Sequence, residues 1–255
     1  MRLIRHKGPF KMIEILLEDI DVVEIEKLKR KYQRISILTH KPYDLHDFRL
    51  RQKKTPNIYV DSPVGEVFAK FRDTVRNEIR RTERMEEFAV KLPDDNYDGA
   101  YALYKEFEFS QGRAPISLED FKKYQLACAY LKDRLLSVVS FYQSGDKIRV
   151  RSIYSARLAS KDDSEMYKVI GFASKRLIYE LCRHAQGRGA KLVDLASINL
   201  TDPAKEPIAR FKSGFGAKIE DEYQYIYVSN IMRLAENLAS FRVKIEVMLR
   251  NKTKK

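Results

Sequence analysis

Apolar positions at residues 12–17, helical spacing through a charged stretch at 22–32 and a second apolar run at 35–38 predict a small strand–helix–strand unit. Residues 40–56 are polar, rich in His, Lys, Arg and Asp, and read as a long loop of the kind often used for binding. A short strand is predicted at 58–60. Ser62-Pro63 then carries a helix-start signature, a capping hydroxyl followed by proline in the first turn. Val64, Val67, Phe71, Val75 and Ile79 recur three or four apart and carry that helix to about Arg84. Residues 97–109 form a second helical block, broken at Gly112-Arg113-Ala114-Pro115. Ser117 opens another helix, with Glu119 and Asp120 in the first turn, where the dipole favours acids.

The period then changes to two. Residues 126–131, 135–142 and 148–156 predict three strands, joined at Lys132-Asp133 and at Ser144-Gly145-Asp146 by hairpin chemistry. A polar loop at 160–165 precedes an amphipathic helix over 166–186, with Met166, Ile170, Ala173, Leu177, Leu181 and Ala185 as its apolar stripe and Gly187 and Gly189 at its end. A buried strand at 191–198, a short helix at 203–212, a long strand at 218–228 and an amphipathic helix at 231–249 follow, with 252–255 as a frayed tail. The order predicts an α/β chain of the α+β kind: a mixed, mostly antiparallel sheet flanked by helices. Residues 1–61 read as a small N-terminal β/α segment and 62–255 as the main domain.

Composition narrows this picture. With 44% hydrophobic and 33% charged residues, the chain is expected to fold as a soluble globule rather than stay disordered. Its net charge of +13 predicts attraction to phosphates, anionic polymers or membrane head groups. Cys128 and Cys182 lie in apolar stretches and read as small core residues in a reducing compartment, with no Cys/His cluster for a metal. No apolar run is long enough for a signal peptide or a membrane span, so a cytoplasmic location is expected, with peripheral contact to anionic surfaces.

Three strings carry a resemblance: RDTVRNEIRRTER at 72–84, GAKLVDLAS at 189–197 and RFKSGFG at 210–216. The first resembles the arginine-rich helix that opens the acyltransferase domain of Fem-type (FemAB-like) proteins, the peptidoglycan-bridge branch of the GNAT superfamily. The second resembles their fifth strand, and the third their Phe-Lys-x-x-Phe-Gly string. The resemblance implies a GNAT sheet whose fourth and fifth strands run parallel and splay apart, here 148–156 and 191–198. It also implies N-acyl transfer from an activated donor to an amine, in peptidoglycan or cell-envelope biosynthesis. Members with full bridge-forming activity carry two such domains, so the first sixty residues predict a reduced accessory lobe. The glycine-rich pyrophosphate loop of acetyl-CoA enzymes is missing; only Gly171 stands there, behind Tyr167 and Lys168, and these three are candidate donor-binding residues.

Acyl transfer needs an aimed, deprotonated amine and a donor for the developing oxyanion, so no nucleophile set is required. Lys212, by resemblance, neutralises charge near the reacting carbonyl; the alternative is a surface lysine favoured by a helix C-terminus. Asp194, flanked by apolar residues, is either a general base or a paired structural carboxylate. Ser197 and Asn199, at the strand's carboxyl end, either bind donor or acceptor or cap the helix at Pro203. Tyr154, beside the strand gap, is a further binding candidate, as are Glu106 and Arg113 for an acceptor pocket, each against a structural role. Arg72, Arg76, Arg80 and Arg84 share one helix face, where like charges cost about 0.2–0.5 kcal/mol per pair. They read either as phosphate ligands or as a solvated or internally paired face.

Three functions compete. The first is an N-acyltransferase using acetyl-CoA or another acyl-CoA, without metal, on an amino sugar, amino acid or cell-wall precursor amine. The second is a Fem-type peptidyltransferase drawing on aminoacyl-tRNA. The third is a non-catalytic binder of tRNA or another polyanion, although no RNA-recognition, zinc-finger or helix-turn-helix signature appears.

Overall fold

The computed structural model describes residues 1–238. In chain order the elements are strands β1 (Arg2–Lys7) and β2 (Phe10–Leu16), helix α1 (Val22–Lys31), β3 (Arg34–Thr39), β4 (Arg49–Tyr59), helices α2 (Val64–Ala69) and α3 (Asp73–Glu83), β5 (Phe88–Asp94), α4 (Tyr97–Ser110), α5 (Leu118–Phe121), β6 (Gln125–Leu131), β7 (Arg134–Ser144), β8 (Lys147–Ser155), α6 (Ser164–Gly187), β9 (Leu192–Asp194), α7 (Glu206–Ser213) and β10 (Lys218–Val228). The helix predicted at 231–249 is helical as far as 238; its remainder and the tail at 252–255 lie outside the described residues.

The chain divides into two units, Met1–Lys53 with the residues from Asp221 onward, and Lys54–Glu220. This differs from the expected division at residue 61, because β10 comes back to pair antiparallel with β3, from Tyr223 opposite Thr39 to Val228 opposite Arg34. In the first unit β2 and β3 run parallel, joined by α1, as a crossover helix requires. Asp21 caps α1, its carboxylate accepting from the Glu24 N–H at 2.6 Å. Ile13, Ile15, Ile25, Ile35, Ile37 and Tyr225 make its core. Strand β1 escaped the sequence reading. It is an edge strand whose basic residues hide the alternation, and it forms by a hairpin that turns at Gly8, φ +57°.

In the second unit the sheet runs β4-β9-β8-β7-β6-β5. The predicted meander is β6, β7 and β8, with its turns at Lys132 (φ +55°) and Gly145 (φ +58°). Successive residues point to opposite faces and feed two cores. Ala127, Ala129 and Val139 join Ile170, Leu177, Leu181 and Cys182 of α6; Leu126, Cys128 and Val138 join Ala100, Tyr104 and Phe121 of α4 and α5. Burial pushes the Cys128 and Cys182 thiols up, which leaves both protonated and unreactive.

Four local expectations change. Strand β5 was not foreseen. Strand β4 starts at Arg49, inside the expected loop, because its first half is charged and exposed and so lacks an apolar rhythm. The strand expected at 191–198 keeps regular pairing only over Leu192–Asp194. The long helix expected from Ser62 breaks between Ala69 and Asp73; α2 has Pro63 at its cap position and no side-chain cap. Phe71 sits at the break and turns inward, edge-on to Phe215 at 5.3 Å between ring centres. The Arg76 guanidinium donates to the Ala69 and Phe71 carbonyls at 2.5 and 2.7 Å, satisfying groups at the break.

Phe215, fully buried, joins the end of α7 to this break. Phe215→Ala is expected to lower the unfolding free energy by about 3–5 kcal/mol in a urea titration. A loss below about 1 kcal/mol would mean that the joint is not part of the core.

Candidate functional site

The site begins where β8 and β9 separate. They pair in parallel over Lys147–Leu192, Ile148–Val193 and Arg149–Asp194, and then part. Strand β8 continues to Ser155 along β7. The chain after β9 turns toward β4 instead, with the Leu195 N–H on the Pro56 carbonyl at 2.9 Å and the Ile198 N–H on the Lys54 carbonyl at 2.8 Å. Between them Ala196 adopts φ +63°, a left-handed conformation uncommon for a residue with a Cβ.

Asp194 fixes the point of divergence. Its carboxylate has no solvent exposure, pairs with the buried Arg149 guanidinium, and accepts from the Thr55 hydroxyl at 2.6 Å and the Ala196 N–H at 2.7 Å. The bond from Ala196 holds the left-handed turn. This geometry matches the paired structural carboxylate, and Asp194 is not among the residues lining the cleft.

Lys212 stands on the other side of the turn. It lies in the last turn of α7, is 9% exposed, and donates to the Ala196 and Ser197 carbonyls at 3.0 and 3.1 Å. The ammonium therefore ties the segment leaving β9 to α7. The string around it explains itself by contacts. Phe211 packs on Phe215 at 5.2 Å, and the Ser213 hydroxyl accepts from Arg72 at 2.5 Å. A Cβ on Gly214 would lie 3.0 Å from Val75, and one on Gly216 (φ +63°) 2.5 Å from the Lys70 carbonyl oxygen. The two glycines let α7 and the chain beyond it press against α2 and α3.

The parted strands open a cleft of about 540 Å³. Its floor is apolar, with Val150, Ile153, Leu195, Pro207, Ile208 and Phe211. Its charged lining is Arg151, Arg157, Lys175 and Lys212, and no Asp, Glu or His is among the described residues that line it. Beyond Arg149, β8 has a strand neighbour among the described residues on the β7 side only, so alternate backbone groups of 150–155 face the opening.

The candidates of the sequence distribute unevenly about this cleft. Ser197, Lys212 and Gly171 line it. A Cβ on Gly171 would meet the Arg157 guanidinium at 2.5 Å, and Arg157 also covers the Tyr167 ring at 4.6 Å. Tyr167 is thus held at the α6 N-terminal turn, while Lys168 pairs with Glu165 at 2.6 Å. Tyr154 is not brought to the cleft. It points to the opposite face of the sheet, against Tyr104 and bonded to the Ser140 hydroxyl at 3.1 Å, because residues of one strand alternate between faces. Asn199 is exposed and closes a local turn, accepting from the Thr201 N–H at 2.9 Å. Glu106 is exposed on α4, and Arg113 pairs with Glu108 at 2.7 Å. The arginine row is divided by the helix break. Arg72 precedes α3 and lines a groove toward α7, Arg76 turns back on carbonyls, Arg80 covers Phe68 at 5.6 Å, and Arg84 caps the end of α3.

Arg151, Arg157 and Lys175 were missed. For Lys175 a signal exists: Gly171, Ser174 and Lys175 are spaced three and four apart along α6, a small and polar strip beside the apolar one. Arg151 and Arg157 become visible only when the strands part.

No protein-family model and no curated protein matches the sequence. Solved structures do match. FemX superposes with a TM-score of 0.63 at 13% identity, covering 90% of this chain and 84% of that one. L-PGS from Bacillus licheniformis gives 0.55 at 12% identity, covering 89% and 80%. N-myristoyltransferase from Saccharomyces cerevisiae, with bound myristoyl-CoA, gives 0.50 at 10% identity, covering 86% of this chain and 60% of that one. The fold is Fem/GNAT-like.

Asp194→Asn is expected to lower stability by about 3–5 kcal/mol in denaturant titration, since it strands the Arg149 charge in the interior. Unchanged stability would remove Asp194 from its structural role.

Proposed function

We propose that this protein is an N-acyltransferase that takes an acyl group from an activated donor, acyl-CoA foremost, and passes it to an amine at the cleft between β8 and β9. The reading rests on one observation: the parallel pair ends after three residue pairs and opens onto an apolar cleft rather than a filled core. Support for acyl-CoA comes from the fold shared with N-myristoyltransferase, described with myristoyl-CoA bound. The Fem-type resemblance of the strings at 72–84, 189–197 and 210–216 supports an amine of a cell-envelope precursor as acceptor.

In this reading the acyl carbonyl enters the gap, and N–H groups on the open side of β8 receive the developing oxyanion. The amine lone pair attacks the carbonyl carbon. The C–N bond forms, the C–S bond of the thioester breaks, and the amine proton leaves with the thiolate or to solvent. The lining offers no carboxylate or imidazole to take that proton. Its cationic side chains, of which Lys175 is offset by Glu78, disfavour an ammonium, however, and so lower the pKa of the entering amine. Catalysis is then positioning, with Lys212 acting through the Ala196–Ser197 segment that it holds.

Four measurements test this. Acyl-CoA with an amine panel should release free thiol, and Ser197→Trp, which fills the cleft mouth, should abolish that release with folding intact. Lys212→Met should cut turnover at least tenfold; turnover at the native rate would exclude its positioning role. The kcat/KM profile should rise with pH through the pKa of the acceptor amine, about 7.7–8.0 for an α-amine and about 10.4 for a lysine-type amine. A profile that stays fixed when the acceptor changes would reveal a protein base and overturn the mechanism. Thermal stabilisation by bulk tRNA but not by acyl-CoA would replace this reading with the aminoacyl-tRNA one.

A further inference from the structure

Beside the cleft, between α3 and α7, lies a groove of about 400 Å³. The two share Lys175, Pro207 and Phe211, so they meet along one wall. Arg72, Lys175 and Arg210 line the groove against a single acid, Glu206, in the first turn of α7. We infer that the groove binds a phosphate group of the substrate, gripped by Arg72 and Arg210 with Lys175 at the passage, while the acyl part lies in the cleft. The inference deepens the acyltransferase reading and rests on it for the acyl part only.

The arginines are arranged for this by packing, not by the row of four seen in the sequence. The helix break puts Arg72 ahead of α3, where its N–H donates to the Gly214 carbonyl at 2.9 Å. Gly214 admits Val75 so closely that α7 comes down on α3 and carries Arg210 to the same groove. The Arg72 guanidinium is ordered beforehand, one nitrogen donating to the Ser213 hydroxyl at 2.5 Å and to the Arg210 carbonyl at 3.4 Å. Less side-chain entropy is then lost on binding. Arginine suits phosphate because its planar fork donates two parallel charge-assisted bonds. Lys175 is paired with Glu78, which holds the ammonium at the junction of groove and cleft. Arg76, Arg80 and Arg84, engaged on carbonyls, on an aromatic ring or at a helix end, take no part.

Phosphate on an acyl carrier has two sources, a soluble coenzyme thioester and a lipid head group. The probe is inorganic pyrophosphate, titrated at low salt and followed by calorimetry. The native protein should bind it saturably. Arg72→Gln/Arg210→Gln should weaken binding at least tenfold, and Arg210→Gln alone, at an exposed side chain, should weaken it measurably without disturbing the α3–α7 contact. Arg183→Gln, a basic residue in a different pocket, should leave it unchanged. Displacement of pyrophosphate by coenzyme A would identify the soluble source, and displacement by phosphatidylglycerol vesicles but not phosphatidylcholine vesicles the lipid source. Absence of saturable binding overturns the inference. So does an equal loss in Arg183→Gln, which would mean that net charge alone attracts the anion. Arginine-dependent pyrophosphate binding without acyl transfer in any assay would keep the subsite and sink the transferase reading.

Discussion

Asp194 and Arg149 face each other at the last paired residues of β9 and β8, sealed from water. A buried charge pair is tolerated only when both partners are satisfied, and the remaining capacity of this carboxylate is taken by Thr55 of β4 and the N–H of Ala196. The last of these bonds fixes Ala196 in its left-handed turn. The strand is thereby stopped after Asp194 and sent toward β4. The cleft exists because a carboxylate inside the sheet bonds its own backbone two residues ahead.

Once opened, the gap must be kept from closing. Polar backbone at the exit of β9 would otherwise have to find partners across the opening, and Lys212 supplies them from α7. The helix in turn is seated by Gly214 against α3 and by Phe215 against Phe71. One seven-residue string thus joins the cleft to the broken helix, and every member except the exposed Arg210 has a contact that accounts for its side chain or for the lack of one. An ammonium bonded to two carbonyls is an orienting group, which differs from a lysine aimed at the reacting carbonyl as the resemblance implied.

Electrostatics follow from the same arrangement. Glu108 pairs with Arg113 away from the opening and Glu78 offsets Lys175 at its margin, while Arg151, Arg157 and Lys212 keep a cationic lining over an apolar floor. Such a surface attracts an anionic group that carries an apolar part. No helix among the described residues is long and apolar enough to cross a membrane.

The sequence by itself determined the local elements whose partners are adjacent in the chain. The meander, its two turns, the long α6 and the β2–α1–β3 crossover follow from period, capping and turn residues. It also marked Lys212, Ser197 and Gly171, because their strings carry glycines and polar residues where an ordinary core would not. Tertiary structure alone decided the rest. β1 and β4 are held by pairing rather than by their own apolar rhythm, so a strand as charged as Arg49–Tyr59 gives no local sign, whereas β5 carries one in Phe88, Val90 and Leu92. The helix break at Phe71 and the meeting of Arg72 with Arg210 depend on residues about 140 positions apart in the chain, and the inward placement of Tyr154 on Tyr104 of another element. Spacing along one element states which side chains share a face; which face meets a cavity is settled only when another element packs against it.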